Sequence, residues 1–523
     1  MEQQERLPVP LCPYGPYHAL SLRVHELTVQ GRNSQALELA DRHQGVVELL
    51  GDERSTAMIN QGRMYAQISL GRLQEALVTG ERLLQRHRDR GFRASEARAL
   101  ADTAEVLIKL GRLDEGLHRL ANASRVLENV PLSNVRYIAA LSSICEAARA
   151  AELYELADAS AAYSMEAFPM TPIQRASAEL QRAELLLEWG LRLEHVGLVE
   201  EADVRFARAV VLVRDLATMG FDDAPLAAAL YALALVKTGA VDAALEAAAG
   251  LVVPLRDGGH EHEARLAHLA HGIALRCRGD YQAARREFLA AAELAPLSPQ
   301  RLIFQFELAH LAAVAEPGES ADALFGAVRA QARHLWQLRN ERRSMLQQAR
   351  RRAELEAARE RADRAAAQDP LTGLGNRRQF DRQLDRLADA RGGAVGLLLV
   401  DVDRFKGIND RYSHGVGDRV LREVATVLRA HCRQDDVAVR LGGDEFALFL
   451  RCDLGTAARI GARIRDVIAA RDWTEFAPGL RVTLSMGVAQ LADGMDGRDL
   501  YDLADRHLYA AKRSGRDRVA AAA

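Results

Sequence analysis

Four carboxylates stand in two short stretches of the chain. "LLLVDVDRF" carries Asp401 and Asp403, and "VAVRLGGDEFALFL" carries Asp444 and Glu445 behind Gly442 and Gly443. Asp401 and Asp403 lie two residues apart at the end of an apolar run, so a strand would place both on one face where it meets a loop. If that strand lies beside the second stretch, Asp401 and Asp444 converge. Two hard oxygen ligands plus substrate phosphates are what Mg²⁺ accepts while keeping some of its waters. A paired magnesium site can polarise a phosphate and lower the pKa of an attacking hydroxyl, the two-metal logic of nucleotidyl transfer. The glycines allow positive φ and remove side chains, so that a ligand can lie against the backbone. Taken alone, such a stretch is also a plain polar turn.

The elements that must position these acids follow from the pattern around them. The run from Ala394 reads as a buried strand, and an amphipathic helix follows over residues 417 to 432 with Val420, Leu421, Val424 and Leu428 on one face. "VAVRL" and "FALFL" read as two strands of a hairpin. The alternation of Val437, Val439 and Leu441, then Phe446, Leu448 and Leu450, predicts its register and leaves Gly442, Gly443, Asp444 and Glu445 as the turn. Helix is expected over residues 456 to 471, strand at "RVTLSMGVA", and a last helix over residues 500 to 512. Strands joined both by helices and by a hairpin predict an α/β domain whose mixed central sheet is covered by helices.

Residues 442 to 446 spell the GGDEF signature, and from Asp369 to about Val519 the chain resembles a diguanylate cyclase, with the nucleotidyl cyclase-like fold that family implies. "DPLTGLGNRR", "DVDRFKGINDRYSHGVGD" and "YAAKRSGRDRV" match the family's other motifs in order. The resemblance implies that Asp401, the Val402 carbonyl and Asp444 bind Mg²⁺ or Mn²⁺, two ions per active site, with Glu445 a further acid at the catalytic centre. It implies guanine recognition by Asn409 and Asp418, and a carboxylate suits guanine's ring N–H and exocyclic amine, a donor pair that adenine lacks. Lys512 and Arg516, read as four apart on one helical face, would hold the β and γ phosphates of GTP, assisted by backbone N–H groups around Phe405 and Lys406. The implied reaction condenses two GTP into cyclic di-GMP with release of two pyrophosphates. Each domain holds one GTP, so two must face each other and a homodimer is expected. Arg433 and Asp436 have the spacing of the family's inhibitory site, where cyclic di-GMP acts as product and inhibitor. The sequence departs from the family pattern at Ser413, usually glycine, and at Asp517, usually asparagine.

The long N-terminal part is repetitive. "GRNSQAL" from Gly31, "GRLQEAL" from Gly71, "GRLDEGL" from Gly111, "GLVEEAD" from Gly197, "GAVDAAL" from Gly239 and "GDYQAAR" from Gly279 recur, three of the intervals being forty residues. "AELYELA" at Ala151 keeps part of the spacing without the glycine, and "GESADAL" at Gly318 ends a series of about eight. Each unit reads as a helix, a tight turn and a helix, the glycine taking the left-handed turn position and a small sixth residue letting the paired helices approach. Such units stack into an all-α solenoid. They resemble tetratricopeptide repeats of the roughly forty-residue kind found in bacterial regulators, over residues 17 to 331. A short extension, residues 1 to 16, precedes them. Residues 332 to 368 contain neither glycine nor proline and predict one connector helix. It is either packed on the solenoid or paired with a second copy as a coiled coil, which would raise the effective concentration of two cyclase domains. The expected domains are thus 1–16, 17–331, 332–368 and 369–519.

The chain has 523 residues and a formal charge of −3, which gives no overall pull toward nucleic acid. Five scattered cysteines suggest no disulfide framework, and no apolar run is long enough to span a membrane. A cytoplasmic protein is expected. His260, His262, His268 and His271 read as a solvated helix face rather than a metal site. The functional expectation is a diguanylate cyclase whose repeats sense a protein, peptide or small ligand. The rival is a non-catalytic cyclic di-GMP receptor, and the intact Asp401, Asp444 and Asn409 argue against it.

Overall fold

The computed structural model describes residues 18–29, 31–134, 136–218, 224–257, 260–295, 298–388, 394–433, 435–492 and 494–521, and the expected extension at residues 1 to 16, with Cys12, lies outside them. The chain divides into two compact units, Met1–Leu355 and Glu356–Ala523. Among the described residues no helix is long and apolar enough to cross a membrane.

The first unit is built from consecutive helices. They are α1 (His18–Val29), α2 (Asn33–Leu49), α3 (Glu53–Ser69), α4 (Leu73–Asp89), α5 (Arg93–Lys109), α6 (Leu113–Glu128), α7 (Tyr137–Ala150) and α8 (Tyr154–Ala167). The series continues with α9 (Pro172–Val196), α10 (Val199–Val213), α11 (Ala224–Lys237), α12 (Val241–Asp257), α13 (Glu261–Cys277), α14 (Tyr281–Glu293) and α15 (Ser298–Ala315), and ends in α16 (Glu319–Ala365), whose last residues, from Glu356, belong to the second unit. The turn glycines behave as the repeat predicts, with φ of 73° at Gly31 and Gly71 and 78° at Gly111. Each closes its helix with paired bonds, as in Gly71 N–H to Ile68 O and Arg72 N–H to Gln67 O. Gly51 and Gly91, which the heptapeptide pattern does not pick out, have the same left-handed φ between successive pairs. The sixth-place residues Ala36, Ala76, Ala202, Ala244 and Ala284 are all buried.

The repeat lacking a glycine keeps the turn. Glu152 takes φ 57°, and Leu153 N–H still bonds to Ala148 O at 2.8 Å. The side chain there grips another element: Glu152 accepts from Arg342 of α16 at 2.7 Å and from Arg192 at 3.2 Å. Arg339 of α16, 2% exposed, donates to the Glu152 carbonyl, pairs with Glu155 and lies over the Trp336 ring. The helix expected from residue 332 therefore starts at Glu319, as the second helix of the last repeat, and its Trp336, Met345, Leu346 and Ala349 join the core of the repeats.

The expected solvated histidine face holds for His260 and in part for His262, and is corrected for His268 and His271. His268 is 6% exposed and bonds Glu287 at 2.6 Å, with His271 3.3 Å from the same carboxylate.

The second unit is the expected mixed sheet. Its strands are β1 (Gly396–Val402), β2 (Val437–Gly442), β3 (Glu445–Leu450), β4 (Leu484–Gln490) and β5 (Arg518–Ala521), in the order β2-β3-β1-β4-β5. Only β4 and β5 pair in parallel. Helices α17 (Arg377–Ala388), α18 (Phe405–Tyr412), α19 (His414–Ala430), α20 (Leu454–Ala470) and α21 (Gly497–Arg513) cover it. One face packs Leu398, Val400, Phe446 and Leu448 against Val420 and Val424 of α19 and Ile464 of α20. The other packs Leu397, Leu399, Ala447 and Phe449 against Phe380 of α17 and Leu500, Ala504 and Leu508 of α21.

The hairpin departs from the predicted facing. Val437 and Val439 pair with Phe449 and Ala447, on the opposite face from Phe446, Leu448 and Leu450, and a bulge falls between Arg440 and Gly442. From Phe446 on, β3 is buried on both faces, so its hydrophobicity cannot report which side any one residue takes. The strands also run closer to the tip than expected, leaving Gly443 and Asp444 between them.

Candidate active site

β1 carries the site because it is central and antiparallel to both neighbours. Its odd residues Leu397 and Leu399 face α17 and α21, and Asp401 continues that face at the strand end. The register places Asp401 opposite Glu445 of β3. Glu445 therefore shares Asp401's side of the sheet, and directly opposed side chains are neighbours. Val402 N–H donates to the Asp444 carbonyl at 3.2 Å, tying the hairpin tip to the end of β1. The first predicted convergence is thus present, with Gly442 at φ 150° and Gly443 at φ 53° making the approach to the tip.

Lys512 of α21 donates to Asp401 Oδ2 at 2.6 Å. It reaches there because α21 lies against β4: a Cβ at Gly487 would overlap the backbone of Ala504 and Leu508. Asp401 is only 8% exposed. Burial pushes its carboxyl up to about 6; Lys512 acts against that burial without cancelling it, and Asp444 and Asp403 add smaller repulsions. A buried carboxylate that one lysine leaves under-compensated fits a divalent cation as the missing positive charge.

Spacing alone gives Asp403 no role, yet it is the site's anchor. Its carboxylate accepts from Ser485 Oγ at 2.6 Å, Thr483 Oγ1 at 2.7 Å and Asp517 N–H at 3.1 Å, with Arg516 4.0 Å away. The alternating "TLS" at the start of β4 is the signal that could have found it. This network holds the loop after α21. It also corrects the expectation that Lys512 and Arg516 share a helical face: α21 ends at Arg513, and Arg516 sits in a turn at φ 64°, Asp517 at φ 45°. The two cations approach adjacent acids, Asp401 and Asp403, from a helix and a loop respectively.

Phe405 and Lys406 open α18, whose N-terminus has no side-chain cap. Backbone N–H groups in such a first turn suit phosphate. Asn409, half-buried on α18, lies against Gly417 of α19, where a Cβ would overlap its Oδ1, and half-buried Asp418 follows on α19. Ser413, the linking residue, is held at φ 101° and ψ 157°, a conformation glycine adopts far more easily.

A second clamp, also unassigned from sequence, fixes the tip. Arg440 donates to Asp369 at 3.1 and 3.2 Å and to the Gly443 carbonyl at 3.0 and 2.7 Å, and Asp369 in turn accepts from Thr372. Arg433 and Asp436 lie apart from these groups, before β2. The Asp436 carboxylate there accepts from the Arg433 and Arg451 N–H groups at 2.8 and 2.9 Å, and the Arg433 side chain is exposed.

Among the described residues, one cluster has metal-ligating spacing by proximity alone, Glu194, His195 and Glu307 in the repeats. Lys237 lies 2.5 Å from Glu194 and 3.5 Å from Glu307, so a cation already occupies it.

Acids at two adjacent strand ends, an uncapped helix start and a lysine from a facing helix gather at one end of the mixed sheet. The family model for the diguanylate cyclase GGDEF domain matches residues 366–518, and this segment of the chain belongs to that family. It is 38% identical over 152 residues to the diguanylate cyclase DgcS of Shewanella oneidensis, covering 28% of this chain and 50% of that protein. It is 43% identical over 159 residues to the response regulator PleD of Caulobacter vibrioides, covering 29% and 35% respectively. The chain spans half or less of the length of these curated relatives. Among solved structures, the coiled coil and GGDEF domain of DgcB from Caulobacter crescentus, in complex with c-di-GMP, matches at 36% identity with a TM-score of 0.31, over 34% of this chain and 97% of that one.

Proposed function

We propose that the protein is a diguanylate cyclase that condenses two GTP into cyclic di-GMP and two pyrophosphates, in the cytoplasm where GTP is available. The observation that carries this reading is the β1–β3 register, which brings Asp401, Glu445 and the Asp444 backbone to one sheet end beside Lys512. The family match and the diguanylate cyclase name of a relative support the same assignment.

Asp401, the Val402 carbonyl and Asp444 would hold Mg²⁺ or Mn²⁺, two ions per site, which neutralise phosphate charge and acidify the attacking hydroxyl when bound. Asn409 and Asp418 orient the guanine. Lys512, released from Asp401, and Arg516 take the β and γ phosphates, with the Phe405 and Lys406 N–H groups beside them. Each 3'-oxygen forms a bond to the partner nucleotide's α-phosphorus as the bond to pyrophosphate breaks. Glu445, opposite Asp401 in the register, takes up the hydroxyl proton. Because one domain holds one GTP, the active species is a homodimer, and α16 is the element suited to join two chains. Arg433, exposed beside a turn that Asp436 fixes, is the candidate contact for product inhibition by cyclic di-GMP.

The test is Asp444→Ala in the full chain with GTP and Mg²⁺. Loss of cyclic di-GMP with an unchanged melting profile supports the assignment, and retained synthesis overturns it.

A further inference from the structure

The first unit contains a cavity of about 310 Å³ bounded by α1, α3, α4, α5 and the start of α7. That is the lower end of the range for small-molecule sites. Its wall is electrostatically lopsided. Arg54, Arg86, Arg90, Arg98 and Arg136 line it, from four different elements, against the single carboxylate of Glu53. Glu53 is itself shared, pairing with Arg90 and lying 3.7 Å from Arg86. Two acids on α5 are engaged as well: Asp102 by Gln61 and Tyr65 as well as Arg98, and Glu96 by Arg88 and Arg93.

A second observation concerns a residue of the same lining. His87 lines the cavity, is 7% exposed, and its Nδ1 has no hydrogen-bond partner. Burial pushes this imidazole down to about 4, and Arg136, Arg86 and Arg98 act in the same direction, against Glu96. An unsatisfied buried polar atom in a surplus of positive charge is a cost that a bound acceptor would remove. Met58, Ala57 and the 44% exposed Phe92 ring give the cavity an apolar side.

We propose that this cavity binds a small organic polyanion, a compound with two or more carboxylate or phosphate groups on a carbon skeleton of a few atoms, seated among Arg54, Arg86, Arg90 and Arg136 with His87 beneath it. Guanidinium forks recognise both kinds of oxyanion. The proposal stands whether or not the C-terminal unit is a cyclase, because it concerns binding to the first unit.

The experiment is isothermal titration of the full chain, in EDTA at low salt, with citrate as the carboxylate probe and glycerol 2,3-bisphosphate as the phosphate probe. Binding of either at a single site with Kd below about 1 mM, weakening as KCl is raised, is expected, and the tighter probe identifies the group recognised. Arg54→Gln and Arg90→Gln should each weaken it at least tenfold, with Arg54→Lys recovering part of the loss and Asp444→Ala changing nothing. Arg54 is exposed at the start of α3, so its replacement leaves the fold intact. Absence of binding by both probes, or binding indifferent to both arginine substitutions, overturns the proposal.

Discussion

Replacing Asp401 by asparagine should stabilise the nucleotide-free protein while removing its activity. The ionised carboxylate is 8% exposed and its pKa is raised to about 6 from an ordinary 3.8. At about 1.36 kcal/mol per unit, the charged form opposes folding by roughly 3 kcal/mol relative to the neutral form. Since the folded value is the higher one, this stability is fully present below about pH 4 and is lost as pH rises through 6. The asparagine side chain of the variant mimics the protonated acid at every pH. In EDTA at pH 7.5 the substitution should therefore gain about 1–3 kcal/mol, and the calorimetric transition of the C-terminal unit should rise by several degrees. At pH 4 the two proteins should melt together. Mg²⁺ with GTP should then raise the wild type and not the variant. A variant no more stable at pH 7.5, or a gain that persists undiminished at pH 4, would refute the claim that Asp401 is held charged at a cost.

Three further substitutions test the site's supports. Ser413→Gly relieves φ 101° and should raise stability by about 0.5–2 kcal/mol in urea melts, the strain released less glycine's added unfolded-state freedom, with activity retained. Gly417→Ala drives a methyl into Asn409 and should raise KM for GTP about tenfold or more while kcat falls less, as expected for a lost base contact. Arg440→Ala leaves Asp369 and the Gly443 carbonyl without their shared donor and should cost about 1–3 kcal/mol of stability, with a larger fall in kcat than in GTP affinity.

What was legible in the sequence was what backbone chemistry forces. A left-handed helix end calls for glycine, so Gly31, Gly71 and Gly111 announced their turns, and an apolar strand running into Asp401 announced the acidic strand end. Glu152 adopts the same turn with no compositional mark, because its compensation lies in Arg342, far along the chain. The facing of the hairpin was hidden because β3 is apolar on both sides and a bulge shifts the register of β2. Arg516 was misplaced because helical spacing from Lys512 ignores the break at Ser514 and Gly515, where the loop turns to meet Asp403. The start of α16 lies ahead of the glycine-free stretch because an exposed glycine, Gly326, sits inside the helix. Contacts between distant segments, such as Arg440 with Asp369, leave no local pattern at all.

The central claim is that two GTP-loaded sites must meet, and the dependence of cyclic di-GMP formation on enzyme concentration tests it most directly. With saturating GTP and Mg²⁺, the reading predicts cyclic di-GMP as product, two pyrophosphates for each, and a specific activity that climbs with protein concentration until dimers are saturated. A linear dinucleotide or no cyclic di-GMP, or a specific activity constant down to concentrations where the protein sediments as a monomer, would contradict it.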